Sequence, residues 1–238
     1  MKLPIAEQSI RINNQEPERP TDSEYIDVVK VFYTIQGEGP FAGTPAIFVR
    51  MAGCDLQCRL CDADYTSNRK EYQVKELGEL IKQKAKKHGS SLVVFTGGEP
   101  FRQKSLIQIT EELLPQLDIQ IETNGTLFLP LDFQFISIVC SPKTPKVNSN
   151  LVPEIDAYKY VVSRGGVDKE DGLPISVLGQ QCRVARPPWN MEKYDVFIQP
   201  ADEQDKKKNA QNVKEAVRIC LKHGYRLCLQ TQKLVGLE

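Results

Sequence analysis

Short apolar runs, each followed by a polar motif, constrain this chain more than any other feature. The runs cover residues 28–33, 46–51, 92–95, 119–121, 135–139, 158–162, 196–198 and 226–229. Several are almost wholly apolar, the pattern of strands buried on both faces. Between them, Val74, Leu77, Leu80, Ile81 and Ala85 fall at helical spacing over 74–88, and Gly89 supplies a stop. Segments 105–114 and 212–223 read the same way. This alternation predicts an α/β fold with a mostly parallel sheet and crossover helices. Segment 163–192, rich in Gly and Pro, resists a helical reading. Lys206, Lys207 and Lys208 read as a solvated loop or a helix start. Residues 1–24 are polar, carry Pro4, Pro17 and Pro20, and read as a loose N-terminal arm. Residues 25–238 then form one domain, a length that suits one sizeable core.

The polar motifs sit where the predicted strands end. Ile35-Gln-Gly-Glu-Gly39 follows the first run and the cysteine loop the second. Thr96-Gly-Gly-Glu-Pro100, Glu122-Thr-Asn-Gly-Thr126 and Cys140-Ser-Pro-Lys143 follow the next strands, and Gln199-Pro-Ala-Asp202 and Gln230-Thr-Gln-Lys233 the last two. Loops leaving the carboxyl ends of parallel strands build the active sites of α/β folds. Seven such motifs are therefore expected at one edge of the sheet.

Cys54-Asp-Leu-Gln-Cys58-Arg-Leu-Cys61 places three thiols in eight residues, spaced C-x3-C-x2-C. The other cysteines, Cys140, Cys182, Cys220 and Cys228, form no second cluster, and Cys140, Cys220 and Cys228 read as buried structural thiols. Three local thiolates point to a soft metal centre with one open position, an iron–sulfur cluster first. The alternative is structural zinc completed by a distant Cys or by His88 or His223.

Lys+Arg and Asp+Glu both number 31, so no global charge argues for nucleic acid or a membrane surface. No apolar run approaches the ~20 residues of a membrane span. No signal-peptide layout is visible, and an odd, partly clustered cysteine set suits a reducing compartment. A cytoplasmic, oxygen-sensitive protein is expected.

The cysteine loop, followed by a strand ending Thr-Gly-Gly-Glu-Pro, resembles the radical S-adenosylmethionine (SAM) superfamily. There three cysteines hold a [4Fe–4S] cluster, and SAM chelates the remaining iron. A narrower resemblance covers nearly the whole chain from about residue 25. Phe32-Tyr-Thr-Ile-Gln-Gly-Glu-Gly-Pro40, Gly43-Thr-Pro-Ala-Ile-Phe-Val-Arg50, Cys61-Asp62, Glu-Thr-Asn-Gly-Thr, Ser-Pro-Lys and the terminal Gln-Thr-Gln-Lys-Leu-Val-Gly-Leu-Glu are similar to the 7-carboxy-7-deazaguanine synthase family of queuosine and deazapurine biosynthesis. That resemblance implies an incomplete (β/α) barrel and a carbon–nitrogen lyase. The lyase converts 6-carboxy-5,6,7,8-tetrahydropterin to 7-carboxy-7-deazaguanine with loss of ammonia, by hydrogen abstraction at C6 and ring contraction. It also implies a homodimer and an electron donor such as flavodoxin or ferredoxin, with no direct nucleic-acid or membrane partner.

The resemblance assigns roles residue by residue. Cys54, Cys58 and Cys61 bind the cluster. Leu60, Asp62, Gly98, Glu99, Ser141, Pro142, Lys143 and Gln199 face SAM. Ile35, Gln36, Gly37, Glu38, Arg50, Thr96, Gln232 and Glu238 meet the substrate. Arg50 suits its carboxylate, because a guanidinium pairs bidentately. Glu38 suits the guanidine-like edge of the pterin as an acceptor. Two residues depart from the pattern. Ala63 stands where family members usually carry a Thr or Ser that helps bind Mg²⁺; either Asp62 or Asp64 supplies an oxygen instead, or the metal is held by water and substrate alone or is absent, and weak Mg²⁺ dependence is expected. Gln232 stands where many relatives carry His, so carboxylate binding leans on Arg50. Two competing readings are a radical SAM activase acting on a protein glycine, which the Gln-Gly-Glu-Gly and Gly-Leu-Glu motifs disfavour, and a non-catalytic zinc or cluster protein.

Overall fold

The computed structural model describes residues 24–192 and 195–237. Apart from Glu24, the expected N-terminal arm lies outside the described residues, as does Glu238. One nine-stranded sheet runs through the protein in the order β3-β1-β2-β4-β5-β6-β7-β8-β9. Its strands are β1 (Tyr25–Ile35), β2 (Pro45–Met51), β3 (Lys70–Gln73), β4 (Leu92–Gly97), β5 (Asp118–Thr123), β6 (Ile136–Cys140), β7 (Ala157–Val162), β8 (Val196–Pro200) and β9 (Arg226–Leu227). From β2 to β9 every pairing is parallel. The end strands β3 and β9 pair on one side only, so the barrel stays incomplete as expected.

Helices α1 (Val74–His88), α2 (Leu106–Leu113) and α3 (Lys206–His223) are joined at the C-terminus by the short α4 (Thr231–Leu234). Side chains alternate across each strand. Val93 and Phe95 of β4 join Leu77 and Ile81 of α1 and Leu106 and Ile109 of α2 in the main core. Leu92 and Val94 turn to the other face and pack with Ala46. Burial on both faces explains why these strands read as unbroken apolar runs.

Three elements differ from the sequence reading. α3 begins six residues earlier than 212, because Asp205 caps it by accepting from the amides of Lys207 (2.8 Å) and Lys208 (3.0 Å). The triple lysine is thus a helix start. β3, polar and short, had no apolar signature. β1 pairs antiparallel to β2, with Ile35 opposite Pro45. The motif after β1 therefore leaves at the opposite end of β2 from the cysteine loop, and the expectation of seven motifs at one edge fails for this one. Among the described residues, no helix is long and apolar enough to cross a membrane.

Candidate active site

The inner face of the curled sheet encloses a cavity of about 680 Å³. That is ample for a small ligand or two. Cys54, Cys58 and Cys61 all line it, as do Leu60, Asp62, Gly98, Ser141, Lys143, Gln199, Gln36, Glu38, Arg50, Thr96 and Gln232. Ile35, Gly37, Glu99 and Pro142 do not reach it. Their neighbours in sequence do, and the two-residue period of extended backbone accounts for this. Where Gln36 and Glu38 face in, Ile35 turns away and Gly37 has no side chain to contribute; where Ser141 and Lys143 face in, Pro142 is buried behind them.

Glu99 is the clearest correction to the expected SAM contacts. Its side chain is fully buried behind the cavity wall. One carboxylate oxygen accepts from the Phe101 amide (3.0 Å) and the Thr123 hydroxyl (2.7 Å), the other from the Asn124 amide (2.7 Å). Burial pushes its carboxyl up to about 7, against these three donors. Glu99 braces the loop after β4 against the loop after β5.

The same loops grip the cysteine segment. Asn124 Nδ2 donates to Asp55 (2.8 Å), and the Tyr65 hydroxyl donates to the Leu56 carbonyl (3.2 Å). The Glu99 amide donates to the Gly53 carbonyl at 2.9 Å, and a Cβ at Gly98 would lie 1.7 Å from that same oxygen. Only a residue without a side chain lets β4 and the cysteine loop pack this closely. Segment 163–192 is irregular, as expected, yet it reaches the site. The Leu60 amide donates to the Leu178 carbonyl (3.2 Å), and Gln180 Nε2 donates to Cys58 Sγ (3.3 Å).

The donor set fits an iron–sulfur cluster. All three thiols are free and half-buried. Burial holds the Cys54 and Cys61 thiols above the ordinary cysteine range, so loading must displace their protons. The Leu56 amide donates to Cys54 Sγ at 3.4 Å, and Gln180 addresses Cys58; hydrogen bonds to sulfur tune such clusters. Among the described residues no other cysteine and no histidine lines the cavity. His88 stacks on Tyr33 and His223 on Tyr225, both away from the cavity that the three cysteines line. Cys140 is buried beneath the wall, as expected.

Ala63, Asp62 and Asp64 also line the cavity. One Asp64 oxygen accepts from the amides of Thr66 (3.1 Å) and Ser67 (3.0 Å), a turn-capping role. One Asp62 oxygen accepts from Lys233 Nζ (3.1 Å) and Gln230 Nε2 (3.4 Å). Both carboxylates are turned to protein partners.

The opposite wall carries cations. Lys30 and Arg50 are cross-strand partners on β1 and β2. Both lie over the Phe32 ring, at 5.2 and 5.4 Å from its centroid, and all three line the cavity. Further in, Lys159 of β7 is buried in contact with Glu38 and 3.6 Å from Glu122. Sequence reasoning missed Lys30, Lys159 and Leu178 as lining residues. Lys159 carried a signal, as the one charged residue in the apolar run 158–162.

A family model for the radical SAM superfamily matches residues 48–135. The chain is 42% identical over 227 residues to the 7-carboxy-7-deazaguanine synthase of Rhodospirillum rubrum, covering 92% of this chain and 95% of that one. It is 36% identical to the synthase of the same name from Rickettsia prowazekii, covering 91% of each. Among solved structures, QueE from Escherichia coli superposes with a TM-score of 0.62 at 21% identity, over 86% of this chain and 93% of that one, a likeness of fold. The chain belongs to the 7-carboxy-7-deazaguanine synthase family of radical SAM enzymes.

Proposed function

We propose that this protein converts 6-carboxy-5,6,7,8-tetrahydropterin to 7-carboxy-7-deazaguanine with release of ammonia. The observation that carries the reading is the meeting, in one cavity, of the three-cysteine loop, the Gly98 edge, the Lys30–Phe32–Arg50 wall and the Glu38–Lys159–Glu122 cluster. Cys54, Cys58 and Cys61 hold the [4Fe–4S] cluster. When bound, the cluster and SAM supply one-electron cleavage of the sulfonium and abstraction of the hydrogen at C6. Gly98 leaves room for SAM along β4, and Leu60, Asp62, Ser141, Lys143 and Gln199 surround it. Arg50 takes the pterin carboxylate with its planar fork, and Gln36, Glu38, Thr96 and Gln232 meet the ring. Burial works against ionisation of Glu38, but the contact with Lys159 outweighs it and holds its carboxyl below the ordinary range. Glu38 therefore acts as an acceptor. The enzyme draws electrons from a flavodoxin- or ferredoxin-type donor and works as a homodimer.

The test is anaerobic reconstitution with iron and sulfide, followed by SAM, dithionite and the carboxypterin, with product read by mass spectrometry. 7-Carboxy-7-deazaguanine that vanishes in Cys58→Ala supports the assignment. A brown protein that cleaves SAM and leaves the pterin untouched sinks the substrate and keeps the superfamily chemistry.

A further inference from the structure

Lys159 sits in the middle of a central strand with 7% of its surface exposed. A buried ammonium is costly unless it is paired and hydrogen-bonded. Here it meets two carboxylates from distant parts of the chain, Glu38 after β1 and Glu122 near the end of β5. Each carboxylate is steered further. Glu38 accepts from Gln230 Nε2 at 2.8 Å. Glu122 accepts from Gln36 Nε2 at 3.1 Å and from the Thr96 hydroxyl at 3.2 Å. All six residues line the cavity.

This cluster has two carboxylates for one ammonium. The facing wall carries two cationic side chains, Lys30 and Arg50. Arg50 pairs with Thr96 across β2 and β4, and Glu122 lies on the next strand. Two strand spacings separate Arg50 from Glu122, about 10 Å. That spacing suits a ligand with a carboxylate at one end, toward Arg50, and a row of N–H donors at the other, toward Glu38 and Glu122.

We propose that Lys159 is a positioning residue that keeps Glu38 and Glu122 as a fixed pair of acceptors, and so selects a 2-amino-4-oxopyrimidine ring over its 2-oxo counterpart. The inference rests on the pterin reading above and adds the residue that sets ring specificity. Without the ammonium, two neighbouring carboxylates repel and one takes up a proton. A protonated carboxyl presents a donor to a donor edge, and the fit is lost. With both ionised, a 2-oxo ring places a carbonyl against a carboxylate.

The test uses two non-reacting probes, 6-carboxypterin and 6-carboxylumazine, titrated anaerobically into the reconstituted protein with SAM and followed by calorimetry. The two differ only in the 2-substituent and its ring tautomer. Charge-assisted hydrogen bonds set the expected preference of wild type for the pterin at roughly 10- to 100-fold. Lys159→Met is expected to abolish that preference by weakening pterin binding, with lumazine binding changed less than about threefold, and Lys159→Arg to restore part of it. Because Lys159→Met leaves two carboxylates facing each other, the charge-balanced Lys159→Met/Glu122→Gln variant is run beside it; it too is expected to show no preference. Either variant keeping the wild-type preference overturns the proposal. So does wild type binding both probes alike, even where it turns over the tetrahydropterin and the functional reading stands. Conversely, a preference abolished by Lys159→Met in a protein that forms no deazaguanine upholds the proposal and overturns the reading.

Discussion

Lys233 Nζ lies 3.1 Å from an Asp62 carboxylate oxygen, joining the C-terminal turn to the residue that follows Cys61. The same ammonium is 3.4 Å from Asp202 after β8. The two side chains of the first pair are 40% and 48% exposed, so it contributes less than about 1 kcal/mol to stability. Its effect falls on orientation. Lys233→Ala is expected to shift the denaturant midpoint little while weakening SAM binding about tenfold, the size of one lost charge-assisted hydrogen bond. Equilibrium dialysis of SAM against both proteins measures this. Unchanged SAM affinity would remove Asp62 from the site.

Gly98→Ala tests the close packing of β4 on the cysteine loop. Its Cβ would meet the Gly53 carbonyl, a backbone atom without a rotamer to retreat into. A loss of about 2–4 kcal/mol in urea unfolding is expected, in line with overpacking at a site that cannot relax. The reconstituted variant is expected to carry less than half the wild-type iron, measured by colorimetric assay.

Glu99 gives the protein a pH signature. Its folded carboxyl titrates near 7, raised from the ordinary 4.5 chiefly by burial. Between those values the folded state binds the proton more tightly than the unfolded chain does. This group's stabilising contribution is complete below about pH 4.5 and is lost as pH rises through 7, by up to about 3 kcal/mol. Glu99→Gln cannot ionise, and it turns an amide NH₂ toward the Asn124 N–H. It is expected to be less stable than wild type at pH 5 and to show a flatter decline between pH 5 and 8. Urea titrations at both pH values read this directly.

Much of this architecture was legible in the sequence, and what was not depends on facing, partners and pairing sense that only the folded sheet decides. Buried parallel strands announce themselves as apolar runs, and α1 begins and ends where its periodicity and Gly89 place it. Motif strings, however, name consecutive residues, while a strand presents alternate ones. Hence Gln36, Glu38, Ser141 and Lys143 face the cavity, and Ile35, Gly37 and Pro142 do not. Lys159 went unread because its partners, Glu38 and Glu122, are 121 and 37 residues away, and only the folded sheet assembles them. The direction of β1 has no local signature, since pairing sense is set by which strand it meets.

Asp64 is expected to behave as a turn cap. Backbone hydrogen bonds from Ser67 and Thr66 hold its carboxyl low, at about 2. Asp64→Ala is expected to cost about 1 kcal/mol at pH 7, typical of a lost local cap. That contribution is present above pH 4 and fades as pH falls toward 2. Turnover of wild type is expected to change less than about twofold between saturating Mg²⁺ and EDTA, and Asp64→Ala to leave that ratio unaltered. A strong Mg²⁺ stimulation lost in this variant would make Asp64 a metal ligand after all.

Gly37 and Gln232 also bear on how the enzyme is assembled. A Cβ at Gly37 would lie 1.5 Å from Gln232 Oε1, and the Thr231 hydroxyl lies 3.4 Å from the Gly37 carbonyl across 194 residues of sequence. Any side chain at position 37 would push the C-terminal turn away from the loop after β1, so two segments from opposite ends of the described chain are held at a spacing that only glycine permits.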